Sequence, residues 1–318
     1  MALGSSLDNH TDFLILGFQT LYQFRIVLFT SFLILYILTV SGNLIIFVLI
    51  MSSNLLTSPM YFFLCNLSLS ESLFTTNIAP NMLEVLLRNG STMTIPGCFL
   101  QFYLFGLFAV NESFLLTVMS YDRFLAICNP LHYASVMNTY TCRYLTTCCW
   151  LGAFLIMLVT LSFMSRLKFC KQNMIDHFFC DIAPVLKLSC SDTTTIEMVI
   201  SLLSSAATLF PFLFIIVTYG CIIRAIFRIP SSKGKEKAFS TCSSHLGVVT
   251  TYYTTLIMVY VVPTQGHSLI VNKCLSLLYT VVTPLVNPVI YTLRNKEIKI
   301  AFRRKLEILN QHIYSLYK

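Results

Sequence analysis

Charge is what this sequence has least of. Only 11% of its 318 residues are Asp, Glu, Lys or Arg, against about a quarter in soluble proteins. With 56% hydrophobic residues and a mean hydropathy of +0.75, a soluble globular class is excluded. Its basic residues gather near the ends of apolar runs and do not form one patch, so nucleic acid is not an expected partner. No Gly-x-Ser-x-Gly, no His-Glu-x-x-His and no nucleophile–base pair occurs, which argues against an enzyme. The first residues carry no basic stretch and no clear cleavage site, so they are expected to stay as a short tail. Myristoylation and prenylation motifs are missing, and no cysteine follows Cys274, which removes palmitate as an anchor for the C-terminal segment.

What is present is a series of apolar runs near or above twenty residues, each long enough to cross a bilayer as a helix. The runs are continuous, whereas the strands of a membrane barrel would alternate. The expected fold is all-α: a seven-transmembrane helix bundle, followed by a short amphipathic cytoplasmic helix. Residues 1–25 are expected as an extracellular tail, 26–293 as the transmembrane domain and 294–318 as the cytoplasmic helix and tail. Ile298, Ala301, Phe302 and Leu306 share one side of that last helix, as in a helix lying on a membrane surface. Of the 21 Lys and Arg residues, fourteen fall on the C-terminal side of the membrane under this topology. The positive-inside rule then places the C-terminus in the cytoplasm and the N-terminus outside, at the plasma membrane.

The third run, from Cys98 to Tyr133, organises the rest. Cys98, Phe105 and Glu112 recur at seven-residue steps and Arg123 lies eleven further on, so all four share one helix face. That stripe runs from a cysteine at one surface, past a buried carboxylate, to an Asp122-Arg123 pair at the other. Asn43 in the first run would be costly against lipid and should point inward. Two sequons, at Asn9 and Asn89, fall outside and are glycosylation candidates, whereas those at Asn66 and Asn111 lie within spans. Four cysteines, Cys98, Cys170, Cys180 and Cys190, are expected outside and allow three pairings. His177 beside Cys180 could suggest a soft-metal site, but an oxidised Cys180 with a packed His177 is favoured, because a disulfide sulfur is a poor ligand.

The segment MSYDRFLAICNPLHY resembles the MAYDRYVAICNPLHY signature of the vertebrate olfactory receptors, a branch of the rhodopsin-like G-protein-coupled receptors. PMYFFLCNLSLSE, KAFSTCSSHL and the Asn287-Pro288-x-x-Tyr291 motif are similar to further blocks of that family, and the resemblance covers nearly the whole chain. Departures are Glu71 where Asp is frequent, Thr57 for the usual histidine, and Phe124 for the usual tyrosine.

The resemblance implies an odorant receptor that works through a heterotrimeric stimulatory olfactory G protein to raise cAMP, with no cofactor beyond a possible bound sodium ion. It implies Cys98–Cys180 and Cys170–Cys190 disulfides. For coupling and activation it implies Asp122, Arg123, Tyr219, Lys237, His245, Asn287, Pro288 and Tyr291. The implied pocket comprises Phe102, Phe105, Gly106, Ala109 and Val110, with Leu203, Ser204 and Ala207. Tyr253, Leu256, Ile257, Tyr260 and Thr280 complete it. That set is apolar with a few hydroxyls and no fixed charge, suited to a small, neutral, hydrophobic volatile ligand. Glu71 and Glu112 are expected to lie close together near mid-membrane, where two carboxylates must share a cation or a proton. A transporter or channel using them as an ion or proton relay is the alternative; an odd number of spans, no internal repeat and no ring of charges count against it.

Overall fold

A computed structural model describes residues 12–170, 173–261 and 269–316. Among the described residues seven long helices pack side by side: α1 (Arg25–Met51), α2 (Pro59–Arg88), α3 (Ile95–Cys128), α4 (Thr139–Met164), α5 (Thr194–Arg228), α6 (Ser232–Val261) and α7 (269–294, in three parts). An eighth, α8 (Lys296–Leu316), follows a one-residue break. It is 21 residues long, longer than the short helix expected. Ile298 is buried against the bundle, while Phe302 and Leu306 stay exposed. Short helices at Pro130–Val136 and Ile182–Lys187 lie in the connections after α3 and α4.

Local chemistry explains most ends. Pro59 occupies the first turn of α2, where the missing N–H costs nothing, and Asn89 closes the helix in the left-handed conformation with φ 57°. The Thr94 hydroxyl caps α3 by accepting from the Gly97 amide at 3.2 Å, and Asn138 caps α4 through the Thr141 amide at 2.9 Å. α7 runs from Leu269–Leu277 through a π turn, Leu278–Val282, into Thr283–Arg294. The wide turn comes immediately before Pro284, whose ring lacks an N–H and crowds the preceding turn.

Five of the described helices are long and apolar enough to cross a membrane. α2 is less apolar because it buries Ser68, Ser70, Glu71, Ser72 and Thr75 against its neighbours. α6 is less apolar because it begins in a Lys- and Ser-rich stretch. α3 is the central element and packs against α2, α4, α5 and α6. Asn43 is buried, and its amide donates to the carbonyls of Thr39 at 3.1 Å and Pro284 at 3.3 Å, tying α1 to α7.

One end of the bundle carries a three-stranded sheet. β1 (Asp12–Ile15) pairs antiparallel with β2 (Ser91–Thr94) and parallel with β3 (Met174–Ile175). Residues ahead of α1 therefore belong to a lid, with Phe13 and Ile15 buried beneath it at alternate positions. Gly17 turns the chain at φ +64°, a conformation that favours glycine. Its amide donates to the His177 carbonyl at 3.0 Å and its carbonyl accepts from Lys273 Nζ at 2.6 Å.

Candidate functional site

Beneath this lid lies a cavity of about 1140 Å³. α3 supplies one wall through Phe102, Phe105, Gly106, Ala109 and Val110, each at a position expected from the sequence. Ser204 on α5 and Leu256 on α6 also line it, as expected. Phe105 is the aromatic hub: its ring centroid lies 5.4 Å from Phe74, 5.3 Å from Phe179 and 5.8 Å from Tyr279.

Other expected wall residues lie elsewhere. On α6 the cavity face is Tyr252, Thr255 and Leu256, so the helix is turned about one residue, or roughly 100°, from the expected face. Ile257 consequently points outward at 47% exposure. Tyr253 sits below the floor, with its ring on Phe212 and its hydroxyl 3.1 Å from the Ser113 hydroxyl. On α5 the face is Ile200, Ser204 and Thr208; Leu203 is not on it, and Ala207 is buried with its carbonyl accepting from Ser113. On α7 the face is Ser276, Tyr279 and Thr283, whereas Thr280 turns toward Phe32, Tyr36 and Thr75 of α1 and α2. The side chain of Tyr260 lies outside the described residues, as does that of Lys237, and so does Asn9.

The expectation of a cavity without charge is also corrected. Glu112 reaches the floor, and Asp176, Asp181 and Lys187 line the mouth beside His177. α4 contributes Ile156, Met157 and Thr160, which sequence reasoning missed because nothing polar marks that apolar face.

Disulfides Cys98–Cys180 and Cys170–Cys190, with Cα–Cα separations of 5.4 and 6.0 Å, fasten the long connection between α4 and α5. Gln101 Oε1 accepts from the Cys180 amide at 3.0 Å, a second tie at the same point. His177 is buried between Phe178 and Phe179, with Nε2 3.2 Å from the Ser276 hydroxyl. Burial, with help from the Lys273 ammonium, holds the His177 imidazole down at about 3, so it is neutral here. Burial also raises the Asp181 carboxyl. Lys273 of α7 is buried and donates to Asp176 Oδ1 at 2.5 Å, closing an ionic latch between bundle, lid strand and Gly17. Among the described residues no group of three His, Cys, Asp or Glu side chains is placed to hold a metal ion.

Glu112 of α3, at the cavity floor, and Glu71 of α2, outside the cavity lining, converge on Asn287 of α7. The Asn287 amide donates to Glu71 Oε1 and to Glu112 Oε1, the latter at 3.3 Å. Glu71 Oε2 and Asn287 Oδ1 are buried without a hydrogen-bond partner among the described residues. Two buried carboxyl groups sharing one amide, with oxygens left over, form a site suited to a proton or a hard cation.

The opposite end of the bundle is closed by polar contacts. Arg123 and Asp122 are both buried. The guanidinium donates to Asp122 Oδ2 through Nε at 2.9 Å and also through a terminal nitrogen, and the Tyr133 hydroxyl donates to Oδ1 at 2.8 Å. His245 of α6 lies 3.1 Å from the Leu116 carbonyl of α3 through Nε2. A carbonyl can only accept, so Nε2 carries the proton and Nδ1 accepts from the Tyr219 hydroxyl of α5 at 2.7 Å. This chain joins α3, α5 and α6. Tyr291 is fully buried, its hydroxyl without a hydrogen-bond partner among the described residues, and Pro288 packs near Gly42 of α1. Asn89 sits at the lid end of α2.

The chain matches the family model described as "Olfactory receptor" over residues 32–308. It is 43% identical to olfactory receptor-like protein OLF1 of Canis lupus familiaris, covering 94% of this chain and 96% of that protein. Olfactory receptor 11H4 of Homo sapiens is 42% identical, over 93% of this chain and 91% of its own length. Olfactory receptor 5I1 of Homo sapiens is 44% identical, over 93% and 94%.

Proposed function

The chain belongs to the olfactory receptor family, and from that premise we propose that its cavity binds small hydrophobic odorants and that its far end activates a stimulatory olfactory G protein to raise cAMP. Membership makes it a multi-pass membrane receptor for odorants and not an enzyme. The orientation that goes with this reading has the lid and cavity outside and Arg123 facing the cytoplasm, in keeping with the excess of Lys and Arg on the C-terminal side.

One observation carries the proposal. A lidded, largely apolar cavity lies at one end of the bundle, and a separate hydrogen-bonded closure of α3, α5 and α6 lies at the other. A ligand that shifts α3, α6 or α7 around the cavity also acts on the helices that make the closure. Arg123, Tyr219, His245 and Tyr291 are the groups that rearrange when α6 moves, and Lys237 belongs to the cytoplasmic end of the same helix. Glu71, Glu112 and Asn287 stand between the two ends. Glu71 Oε2 and Asn287 Oδ1, without hydrogen-bond partners among the described residues, suit a shared proton or a sodium ion, either of which relieves the repulsion of two buried carboxylates. In this reading the shared site holds the closed bundle, and its loss accompanies activation. Glu112→Gln keeps shape and removes charge; it should alter basal cAMP and sodium dependence, and wild-type values for both would remove the shared site from the account.

The test of the function itself is a broad odorant screen on cells expressing the full chain. It is followed by reconstitution of an active compound's signal with purified G protein and measurement of solute flux. Ligand-dependent nucleotide exchange without flux supports the receptor reading. Flux without exchange would move Glu71 and Glu112 to an ion or proton relay.

A further inference from the structure

The cavity is not equally firm on all sides. Toward α2 and α7 its wall is aromatic: the Phe105 ring centroid lies 5.4 Å from that of Phe74 and 5.8 Å from that of Tyr279, with Phe179 of the lid at 5.3 Å. An aromatic side chain has two torsions and one flat shape, so rings packed on rings keep the outline they have.

Toward α4 the wall is a flexible chain. Gly106 follows Phe105 and so turns about 100° away from it around α3. It faces Met157 of α4. A Cβ at Gly106 would overlap Met157 Sδ and Cε and stand 3.4 Å from its Cγ, so the end of the methionine lies in the notch left by the missing side chain. Both residues line the cavity. Met157 is buried, in one cluster with Phe102, Met164, Ile196 and Ile200. Packed among these neighbours, the thioether finds open space on the cavity side. Methionine is unbranched, has three rotatable bonds and fills irregular gaps, so it can leave the notch and return.

We propose that Met157, seated against Gly106, is the adjustable wall of the cavity and the residue that sets the largest ligand it admits. This rests on the odorant-receptor reading and adds to it a specificity-determining residue. Seated in the notch, Met157 leaves the cavity its full width. A side chain at position 106 unseats it into the ligand's space, as overpacking forces side chains off their preferred rotamers. Loss of Cγ, Sδ and Cε at position 157 opens space that a longer ligand fills. Ligand groups directed at Phe105 meet a fixed outline, and groups directed at Met157 meet one that yields. Discrimination should be sharp on the first side and loose on the second.

The experiment reads cAMP and surface expression in cells expressing the full chain. The probes are straight-chain alcohols, aldehydes and methyl ketones, each series running from butyl to dodecyl, and para-alkyl benzaldehydes from methyl to tert-butyl. In Gly106→Ala the longest homologue that activates the wild type should lose about tenfold or more in potency while short ones change little. In Met157→Ala the first homologue beyond the wild-type limit should gain by a similar factor. Gly106→Ala with Met157→Ala should regain the long homologues, because the chain that the new methyl displaces is gone. A general loss of fold lowers all homologues alike and does not move the size limit. If Gly106→Ala stays off the surface and the double variant reaches it, the contact is supported by that rescue, and Met157→Ala carries the size test. A size limit unchanged in either single variant overturns the inference, as does a double variant no better than Gly106→Ala. Silence of the wild type toward every series overturns it too. A chain that answers other compounds in the broad screen remains a receptor, whereas one that answers nothing there sinks the receptor reading itself.

Discussion

The two ends of the bundle are held in different ways. At the lid end, two disulfides, a three-stranded sheet and the Lys273–Asp176 latch fix the connection between α4 and α5 over the cavity. At the Arg123 end there is no covalent tie among the described residues; α3, α5 and α6 meet through Leu116, His245 and Tyr219, and Arg123 is held by its neighbour Asp122. Covalent and sheet restraints cannot be exchanged within a signalling event, whereas single hydrogen bonds of about 0.5–1.5 kcal/mol can. The difference teaches a division of labour: the lid end preserves a shaped cavity, and the other end has contacts weak enough to be traded for contacts with a partner.

The largest expected effect comes from breaking the rigid end. Cys180→Ser removes a crosslink closing a sequence separation of 82 residues, and loss of a native disulfide typically costs about 2–5 kcal/mol. Surface expression and thermal stability should drop sharply, and normal values for both would contradict the importance given to the lid. Next come substitutions that leave the lid intact and fill the cavity. A side chain at Gly106 meets the Met157 side chain, so Gly106→Leu must drive Met157 into the ligand space, and Ala109→Leu fills it directly. Odorant potency should fall about tenfold or more in each, at near-wild-type expression, because the added side chain takes space from the ligand, and a lost methylene-sized contact is worth about 1–3 kcal/mol. Unchanged dose–response curves for both would move the ligand elsewhere.

A smaller effect is expected from acid at the lid. The buried His177 imidazole, facing Lys273 and Asp176, resists protonation until about pH 3, while in the unfolded chain it accepts a proton near 6.5. Its depressed value means that stability is fully present above about pH 6.5 and is lost as pH falls from there toward 3. Thermal stability should therefore fall between pH 6.5 and 5, and His177→Gln should flatten that part of the profile. An identical slope in the variant would clear His177 of the role. The smallest effect belongs to the exchangeable end: Tyr219→Phe removes one bond of about 1 kcal/mol to His245 and should raise basal cAMP about fivefold. Unaltered basal activity would show that this bond does not hold the closed bundle.

Much of this arrangement was legible in the sequence. Continuous apolar runs identify the long helices, and the stripe from Cys98 through Phe105 and Glu112 to Arg123 lies on the inward side of α3 because heptad and eleven-residue steps preserve a helix face. Asn43 faces inward for the reason the sequence suggests, the cost of an amide against lipid. The faces of α5, α6 and α7 were harder to read. Tyr252 and Tyr253 are chemically alike neighbours, so side-chain type cannot say which one turns to the cavity. The π turn at Leu278–Val282 shifts the phase of α7, turning Thr280 away and bringing in Thr283. Four residues of alternation at Asp12–Ile15 are too few to announce a strand, which becomes one only by pairing with segments some 80 and 160 residues away. The charged mouth went unread because Asp176, Asp181 and Lys187 lie in a connection whose path is set by its crosslinks and not by periodicity.

The central claim is that ligand is taken at one end and the signal is given at the other. Arg123→Ala tests it most directly, read by odorant-dependent binding and cAMP in the same cells. Arg123 lines no part of the cavity and is held by Asp122 at the closed end. The account predicts that surface expression and odorant affinity stay within about twofold of wild type while the cAMP response disappears. A variant that signals normally, or one that loses odorant binding along with the signal while still reaching the surface, would contradict it.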